Sequence, residues 1–199
     1  MADAPVTAED SLRMRADMAR VTGDSAAPLW IIVVSDFQCP YCAQWHHESQ
    51  QALRDEYVRT GKVRIAYLNF PLEQHAHARP AANAALCAGA QGRFWEVHDA
   101  IFDARDRWAP LADAGAVFES LAAAAGVNVA RWRECARSGV MDVIVSSDRD
   151  RAASVGVQST PTFLITYRDG SRQGQLIRGA APLAEFRSVL DSMLVAGTN

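Results

Sequence analysis

Residues 29–42 read LWIIVVSDFQCPYC, and this stretch decides the fold. Its first half, Leu29–Val34, is an apolar run rich in β-branched residues, which is typical of a strand buried on both faces. Cys39 and Cys42 follow that strand and stand at the start of a segment with a helix-compatible pattern. A second strand pattern follows at Val63–Asn69. The order strand, helix, strand predicts a parallel pair joined by a right-handed crossover.

The rest of the chain consists of a long helical region and a short β region. Residues 78–154 carry alanine-rich helical patterns and almost no strand signal. A strand pattern returns at Thr162–Tyr167, and the turn Arg168–Ser171, with Asp-Gly at its centre, predicts a hairpin with a strand at Gln175–Arg178. Pro182 then occupies the position where proline is favoured at the start of a final helix.

The predicted fold class is α/β, with one sheet domain interrupted by an all-helical insertion. The sheet domain comprises residues 1–77 and 155–199, and the insertion comprises residues 78–154. Neither flank has enough strands to close a core alone, so both flanks must contribute to one sheet. Ahead of the first strand, Thr7 and Asp10 predict a capped helix.

Composition excludes several classes of protein. Of the 199 residues, 49% are hydrophobic and 22% are charged, which is ordinary for a globular chain and excludes a disordered one. The formal net charge of −3 gives no basic footprint, so nucleic-acid binding is not expected. No apolar run approaches the roughly 18 residues of a membrane helix, and residues 1–20 lack the apolar core of a signal peptide. We expect either a cytoplasmic protein or a mature form without its leader.

The motif Cys39-Pro40-Tyr41-Cys42 carries redox chemistry in this strand–helix context. Unpaired backbone N–H groups and the positive end of the helix dipole face the Cys39 sulfur and favour its thiolate. We therefore expect the pKa of Cys39 to lie well below the reference value of about 8.5. Pro40 suits the first helical position, where it loses no hydrogen bond. The interpretation makes Cys39 the exposed nucleophile and Cys42 the buried thiol that resolves a mixed disulfide.

Two other interpretations of the cysteines are open. Cys39, Cys42, His46 and His47 could hold a zinc ion, since thiolates and imidazoles suit zinc. No second Cys-x-x-Cys or His pair is nearby, which disfavours this site, and we expect neither a metal nor a cofactor. The remaining alternative is a pair of inert cysteines.

A second signal is Ser159-Thr160-Pro161-Thr162-Phe163. A proline at the start of a strand has no N–H to donate to the neighbouring strand. Such a proline is usually accommodated by a cis peptide bond before it, in a tight turn at the sheet edge. In that position Thr160 offers its backbone to a substrate chain as an added strand. The alternative is an ordinary trans proline at a strand start.

Taken together, the motifs resemble the DsbA-like branch of the thioredoxin superfamily. The matching segments are Phe37–Cys42, Phe70–Leu72 with His75, Ala88–Trp95 with His98, and Gly156–Val157 leading to Thr160–Phe163. They occur in the expected order across residues 29–190. The resemblance implies a thioredoxin fold with a helical domain inserted before a cis-proline, and thiol–disulfide oxidoreductase activity on proteins.

The resemblance also implies roles for individual residues. Cys39 becomes the nucleophile and Cys42 the resolving cysteine, while Thr160 and Pro161, with Pro40 and Tyr41, form the substrate-binding surface. Strongly oxidising members carry histidine where this chain has Tyr41, so the strength of oxidation stays open.

Two further expectations concern an acid and a disulfide. Many members have a buried acid where this chain has Val33, and Asp36, although nearer the motif, receives no proton role. Related members often carry a structural disulfide in the helical region, which implies a bond between Cys87 and Cys135. The alternative is a pair of buried free cysteines.

The predicted function is oxidation of reduced client proteins or peptides outside the cytoplasm, with a membrane redox partner that re-oxidises the chain. We expect a monomer. One alternative is a disulfide isomerase or reductase, although isomerase relatives dimerise through an extra N-terminal domain and only about 28 residues precede the first strand. The other is a non-catalytic module that binds peptides beside Thr160.

Other histidines and aromatic residues are interpreted structurally. We expect His75 and His77 to be surface histidines, with a substrate rim as the alternative. His46 and His47 should face solvent or the helical insertion. Trp45 should pack against that insertion. Four more aromatic residues are expected in the core: Phe94, Trp95, Phe102 and Trp132.

Overall fold

The computed structural model describes residues 6–170 and 172–197, so Ser171 of the predicted hairpin turn lies outside the described residues. The strands are β1 (Val21–Thr22), β2 (Leu29–Ser35), β3 (Val63–Asn69), β4 (Thr162–Tyr167) and β5 (Gln175–Arg178). The helices are α1 (Ala8–Ala19), α2 (residues 40–58), α3 (Ala78–Gly89), α4 (Phe94–Asp103), α5 (Arg105–Trp108), α6 (Gly115–Ala124), α7 (Val129–Ser138), α8 (Asp142–Ser154) and α9 (Leu183–Gly197). Within the described ranges, no helix combines the length and apolar character that crossing a bilayer requires.

The strands form one mixed sheet in the order β1-β3-β2-β4-β5. β2 and β3 are parallel, with Leu29 opposite Val63 and Ser35 opposite Asn69, which confirms the predicted parallel pair. β4 runs antiparallel to β2 and pairs with β5 as a hairpin. The connection between β4 and β5 runs over residues 168–174, longer than the predicted turn. The predicted α/β class, with helices inserted between β3 and β4, is confirmed.

Two local features differ from the sequence prediction. β1 is a two-residue strand paired with β3, and two residues carry no periodicity that a sequence pattern could reveal. α2 is α-helical at Pro40–Trp45 and Gln51–Leu53 but forms wider π turns at His46–Gln50 and Arg54–Val58. Both kinds of turn bury one face of the helix, so the apolar pattern does not distinguish them.

The buried residues of the sheet and of the inserted helices form one continuous core. Trp45 of α2 packs against Phe163 of β4 and Phe186 of α9, with ring centroids 4.6 and 6.0 Å apart. The expectation that Trp45 packs against the helical insertion is therefore wrong, because the ring faces the sheet. The aromatic residues expected in the core are fully or partly buried: Phe94, Trp95, Phe102 and Trp132.

Helix α3 lies at the centre of the inserted helices. Nine of its twelve residues are buried, and most of these are alanines. It contacts α4, α6, α7 and α8. The small buried side chains of α3 allow these neighbours to approach its backbone closely.

A disulfide joins Cys87 of α3 to Cys135 of α7, with a Cα–Cα distance of 5.8 Å. This agrees with the pairing that the family resemblance implied. Both cysteines are buried, and the bond joins two of the inserted helices.

Removing this disulfide is expected to destabilise the protein substantially. The bond closes a loop with a sequence separation of 48 residues, for which the chain-entropy relation gives about 4 kcal/mol. Urea unfolding of Cys87→Ala/Cys135→Ala would measure the loss, with both proteins carrying Cys39→Ser and Cys42→Ser so that the other cysteine pair does not contribute. Equal free energies of unfolding with and without the bond would contradict the prediction.

Candidate active site

The sequence places Cys39 directly in front of helix α2. β2 ends at Ser35, and the Cys39 N–H donates to the Asp36 carbonyl at 3.1 Å, which closes a tight turn. Cys39 has extended backbone angles, φ −67° and ψ 125°, and is the residue that caps the helix. Pro40 occupies the first turn, where its missing N–H leaves no hydrogen bond unmade. The turn after the carboxyl end of β2 thus places the Cys39 sulfur at the start of α2.

Both sulfurs of the motif are shielded from solvent. Cys39 is 3% exposed and Cys42 is 1% exposed, and both are free thiols. The expectation of an exposed Cys39 is wrong, because the chain before β4 covers it: the Cys39 Sγ lies 3.5 Å from the Thr160 carbonyl oxygen. The exposed residues of the motif are instead Pro40 and Tyr41, and Tyr41 is 62% exposed.

The pKa values of the two thiols are shifted in opposite directions. The pKa of Cys39 is lowered from 9.0 to about 6, first because the Cys42 thiol donates a hydrogen bond to it. Burial opposes this lowering, while Thr160 and the backbone N–H groups of Cys42 and Tyr41 reinforce it. Burial raises the pKa of Cys42 well above 9.0, and its hydrogen bond to Cys39 raises it further. Near neutral pH the site therefore holds one thiolate and one thiol.

The bond between Thr160 and Pro161 is cis, as the position of the proline predicted. The Pro161 carbonyl accepts a hydrogen bond from the Gly179 N–H at 2.8 Å, which ties this turn to the chain beyond β5. Both residues are buried. The structure therefore brings Thr160 and Pro161 to Cys39, although 121 residues separate Thr160 from Cys39.

Asp36 is a buried carboxylate at which three hydrogen bonds meet. Its Oδ1 accepts from the Gln38 N–H at 2.7 Å, and its Oδ2 accepts from the Leu72 N–H at 2.8 Å. The His75 Nδ1 lies 2.7 Å from the same Oδ2. In addition, the Asp36 N–H points at the Cys42 Sγ at 3.5 Å. Asp36 thus joins the turn before Cys39 to the loop after β3.

Gln38 makes a second set of connections to the same turn. Its Oε1 accepts from the His77 N–H at 2.7 Å, and its main-chain carbonyl accepts from the Arg105 Nε at 2.8 Å. The His77 ring bonds the Leu111 carbonyl oxygen at 2.7 Å. His75 and His77 are therefore partly buried structural residues, and the expectation of surface histidines is wrong. The sequence shows that they follow a strand, but not that this loop folds against the cysteine turn.

The zinc interpretation of Cys39, Cys42, His46 and His47 finds no support in the geometry. Both histidines face α4, where His46 lies near Asp99 and Asp103, and His47 near Asp103. Over the described part of the chain, the groups with metal-compatible spacing contain these histidines and carboxylates but neither Cys39 nor Cys42. The cysteine pair therefore remains available for redox chemistry.

Comparison with known proteins gives the family. The family described as "Thioredoxin" matches residues 15–191, which is most of the chain. The chain belongs to the thioredoxin family. The structure resembles that of Wolbachia pipientis alpha-DsbA1, with a TM-score of 0.80 at 23% identity over 90% of this chain and 92% of that one. The chain therefore has the thioredoxin-like fold with inserted helices that its motifs implied.

Curated relatives fall under two kinds of name. The chain is 33% identical over 153 residues to "Na(+)/H(+) antiporter NhaA 3" of Salinispora tropica, a match over 76% of this chain and 22% of that protein. It is 27% identical over 149 residues to "Probable disulfide bond formation protein D" of Bacillus anthracis, over 72% of this chain and 67% of that protein. The match thus spans only about a fifth of the antiporter's length.

The acidity of Cys39 can be measured in this thioredoxin-family protein. Absorbance of the reduced protein at 240 nm should rise with a midpoint near pH 6. Cys42→Ala should move the midpoint up, because it removes the first cause of the shift, whereas Cys42→Ser keeps a hydrogen-bond donor and should move it less. The folded-state pKa is depressed, so this thiolate stabilises the reduced protein fully above pH 9, and that stability is lost as pH falls through about 6. A wild-type midpoint near pH 9 would contradict this.

Asp36→Ala is expected to lower the free energy of unfolding by about 3 kcal/mol or more, because buried donors that lose their acceptor cost about 1–3 kcal/mol each. Those donors are the Gln38 and Leu72 N–H groups and the His75 ring. The matched control is Asp106→Ala, since the Asp106 side chain is 95% exposed and its loss should change stability little. Urea unfolding compares the two. An equal effect of both variants would show that the Asp36 hydrogen bonds do not hold the turn.

Proposed function

We propose that this chain is a thiol–disulfide oxidoreductase of the DsbA type, which oxidises cysteine pairs in client proteins through a Cys39–Cys42 disulfide. One observation carries the proposal: an acidic sulfur at the start of a helix lies beside a high-pKa sulfur one turn on. Membership of the thioredoxin family supports it. So does the match to a relative named for disulfide bond formation.

The first step is attack of a client thiolate on the Cys39 sulfur of the oxidised protein. The client–Cys39 disulfide forms, the Cys39–Cys42 bond breaks, and its electron pair leaves on Cys42. Cys42 takes up a proton, because burial raises its pKa well above 9.0. The intermediate is thus a mixed disulfide on Cys39 with a neutral thiol beneath it.

The second step is attack of another client thiolate on the client sulfur of the mixed disulfide. The client disulfide forms and Cys39 leaves as a thiolate. The client loses two electrons, which the Cys39–Cys42 pair gains, so the step is balanced without any cofactor. A pKa of about 6 makes Cys39 a good leaving group and stabilises the reduced product, and both effects favour oxidation of the client.

Client binding is assigned to the surface around the Cys39 sulfur. Thr160 and Pro161 would pair with an extended client segment as an added strand, since the Thr160 carbonyl lies 3.5 Å from the sulfur. Pro40 and Tyr41 are exposed and would contact the client's side chains. A client must also displace part of this cover to reach Cys39, which is 3% exposed.

We further infer an extracytoplasmic location and re-oxidation by a membrane redox partner. A buried structural disulfide between Cys87 and Cys135 persists in an oxidising compartment, which supports this location. We treat residues 78–154 as the inserted helical domain and the protein as a monomer. Because the antiporter match covers only about a fifth of that protein, antiport is not part of the proposal.

Trapping tests the proposed reaction. Cys42→Ser, with Cys39 first converted to a mixed disulfide with thionitrobenzoate, should react with a reduced client peptide that carries a single cysteine. The client–Cys39 disulfide forms as thionitrobenzoate leaves, and the adduct should accumulate because neither partner has a second thiol to resolve it. Cys39→Ser should form no adduct and should lose acceleration of client oxidation. Reductant-sensitive bands on non-reducing gels and the rate of client oxidation are the two readouts. A non-catalytic peptide-binding module would retain client binding in Cys39→Ser and form no adduct in Cys42→Ser.

Equilibration of the wild-type protein with glutathione buffers measures its reduction potential, which indicates whether it acts as an oxidant or a reductant. A reduction potential near −120 mV marks a strong oxidant, and one near −270 mV marks a reductase. We expect a potential on the oxidising side of this range, because the thiolate of Cys39 stabilises the reduced state. A value near −270 mV would replace the oxidase proposal by the reductase alternative.

A further inference from the structure

A cluster of nitrogen and oxygen donors lies where α2 meets the end of α4, outside the redox site. We call His46, His47 and Asp103 the helix-junction site. His46 and His47 belong to the first π turn of α2, and Asp103 is the last residue of α4. Each contributes one donor atom, and the three atoms lie within 4.8 Å of one another. No step of the proposed redox reaction uses these side chains.

The spacing of the donor atoms fits one small metal ion. The His46 Nε2 lies 3.2 Å from the Asp103 Oδ1, and the His47 Nδ1 lies 3.6 Å from the same oxygen. Ligands bound tetrahedrally at about 2.0–2.1 Å from zinc are separated by about 3.3–3.4 Å. The helix-junction site is therefore close to the geometry that such an ion requires.

The His46 ring is held in position before any ion arrives. Its side chain is 9% exposed, and it stacks on Phe102 with ring centroids 5.1 Å apart and planes 22° apart. Its Nδ1 is buried, has no hydrogen-bond partner among the residues that the structure describes, and lies 3.9 Å from the Asp99 Oδ1. A metal-bound imidazole normally donates its second N–H to a carboxylate. The Asp99 carboxylate lies on the Nδ1 side of the His46 ring, where it can accept that hydrogen bond.

A neighbouring group, His46 with His98 and Asp99, has comparable spacing but is closed to an ion. His98 is fully buried and its Nδ1 already bonds the Asp99 Oδ1 at 2.7 Å. Arg54 also binds both oxygens of Asp99, at 2.6 and 3.2 Å. A guanidinium on that carboxylate neutralises it and blocks the approach of a cation. Asp99 therefore serves as an outer partner rather than as a ligand.

Unlike the group of His46, His98 and Asp99, the helix-junction site is accessible from solvent. The side chains of His47 and Asp103 are 51% and 64% exposed, so an ion can enter from solvent. In the described ranges, the ion-pair partners of Asp103 are His46 and His47, with no lysine or arginine among them. The carboxylate is thus free to bind a cation once the imidazoles are neutral.

We propose that His46 Nε2, His47 Nδ1 and the Asp103 carboxylate bind a zinc ion, with water in the fourth position. Two imidazoles and one carboxylate suit zinc, whereas calcium and magnesium require sets of oxygen ligands. This site differs from the zinc interpretation in which the cysteines are ligands, and it departs from the expectation that the chain binds no metal. It is independent of the proposed redox function.

Binding would join the redox helix to the inserted helices. Asp103 ends α4, and two residues later Arg105 donates to the Gln38 carbonyl beside Cys39. An ion held by α2 and α4 together would fix the position of this connection. We therefore expect zinc to stabilise the folded chain by mass action, in addition to being bound.

Calorimetric titration of the untagged, oxidised chain with zinc chloride tests the site. The Cys39–Cys42 disulfide keeps both thiols from binding the metal, and the expected stoichiometry is one zinc per chain. His47→Ala and Asp103→Asn should each weaken zinc binding at least tenfold, since even the loss of an outer partner costs 10–100-fold. A rise in the thermal unfolding midpoint with zinc should disappear in the same variants.

Two controls make the outcome decisive. Glu48→Gln removes an exposed negative charge next to His47 without removing a donor, and it should bind zinc like wild type. Cys39→Ser/Cys42→Ser should also bind normally, so failure of the redox proposal would leave this test unaffected. Absence of zinc binding to the wild-type chain, or equal affinity in Asp103→Asn and wild type, would overturn the proposal.

Discussion

The hydrogen bond from the Cys42 thiol to the Cys39 sulfur is the interaction on which the site depends. It requires the two residues to lie one turn apart at the beginning of a helix, and β2 and Pro40 together fix that position. Burial keeps the Cys42 thiol protonated, so it can donate a hydrogen bond. The Cys39 sulfur accepts that hydrogen bond, and this favours its thiolate. The asymmetry between two chemically identical side chains thus arises from the burial of Cys42 together with the hydrogen bonds that Cys39 receives at the start of the helix.

The rest of the structure holds Cys39 and Cys42 against the turn at Thr160 and Pro161 that covers the Cys39 sulfur. Asp36 binds the loop after β3, and Gln38 binds both that loop and Arg105 of the inserted helices. On the opposite side, Pro161 is tied to Gly179. Three segments far apart in sequence therefore meet around one four-residue motif. The inserted helices are part of the site's framework, since Arg105 reaches the residue next to Cys39.

The sequence was informative where chemistry and periodicity are local. The β-branched run of β2, the cysteine spacing and the proline before Thr162 predicted the parallel pair, the helix start and the cis bond. It failed where a residue's role depends on distant neighbours. Burial of Cys39 comes from Thr160, and Asp36 acquires its role from Leu72 and His75. Neither contact leaves a pattern in the residues around the motif.

The two cysteine pairs of this chain differ in where they stand on their helices. Cys39 precedes a helix, so the N–H groups of the first turn and the Cys42 thiol stabilise its thiolate and with it the reduced state. Cys87 and Cys135 lie near the carboxyl ends of α3 and α7, where the helix dipole disfavours a negative sulfur. Reduction of that pair would gain no such stabilisation and would release the loop between them. Position on the helix thus distinguishes the two pairs, because only at Cys39 does the helix stabilise the thiolate.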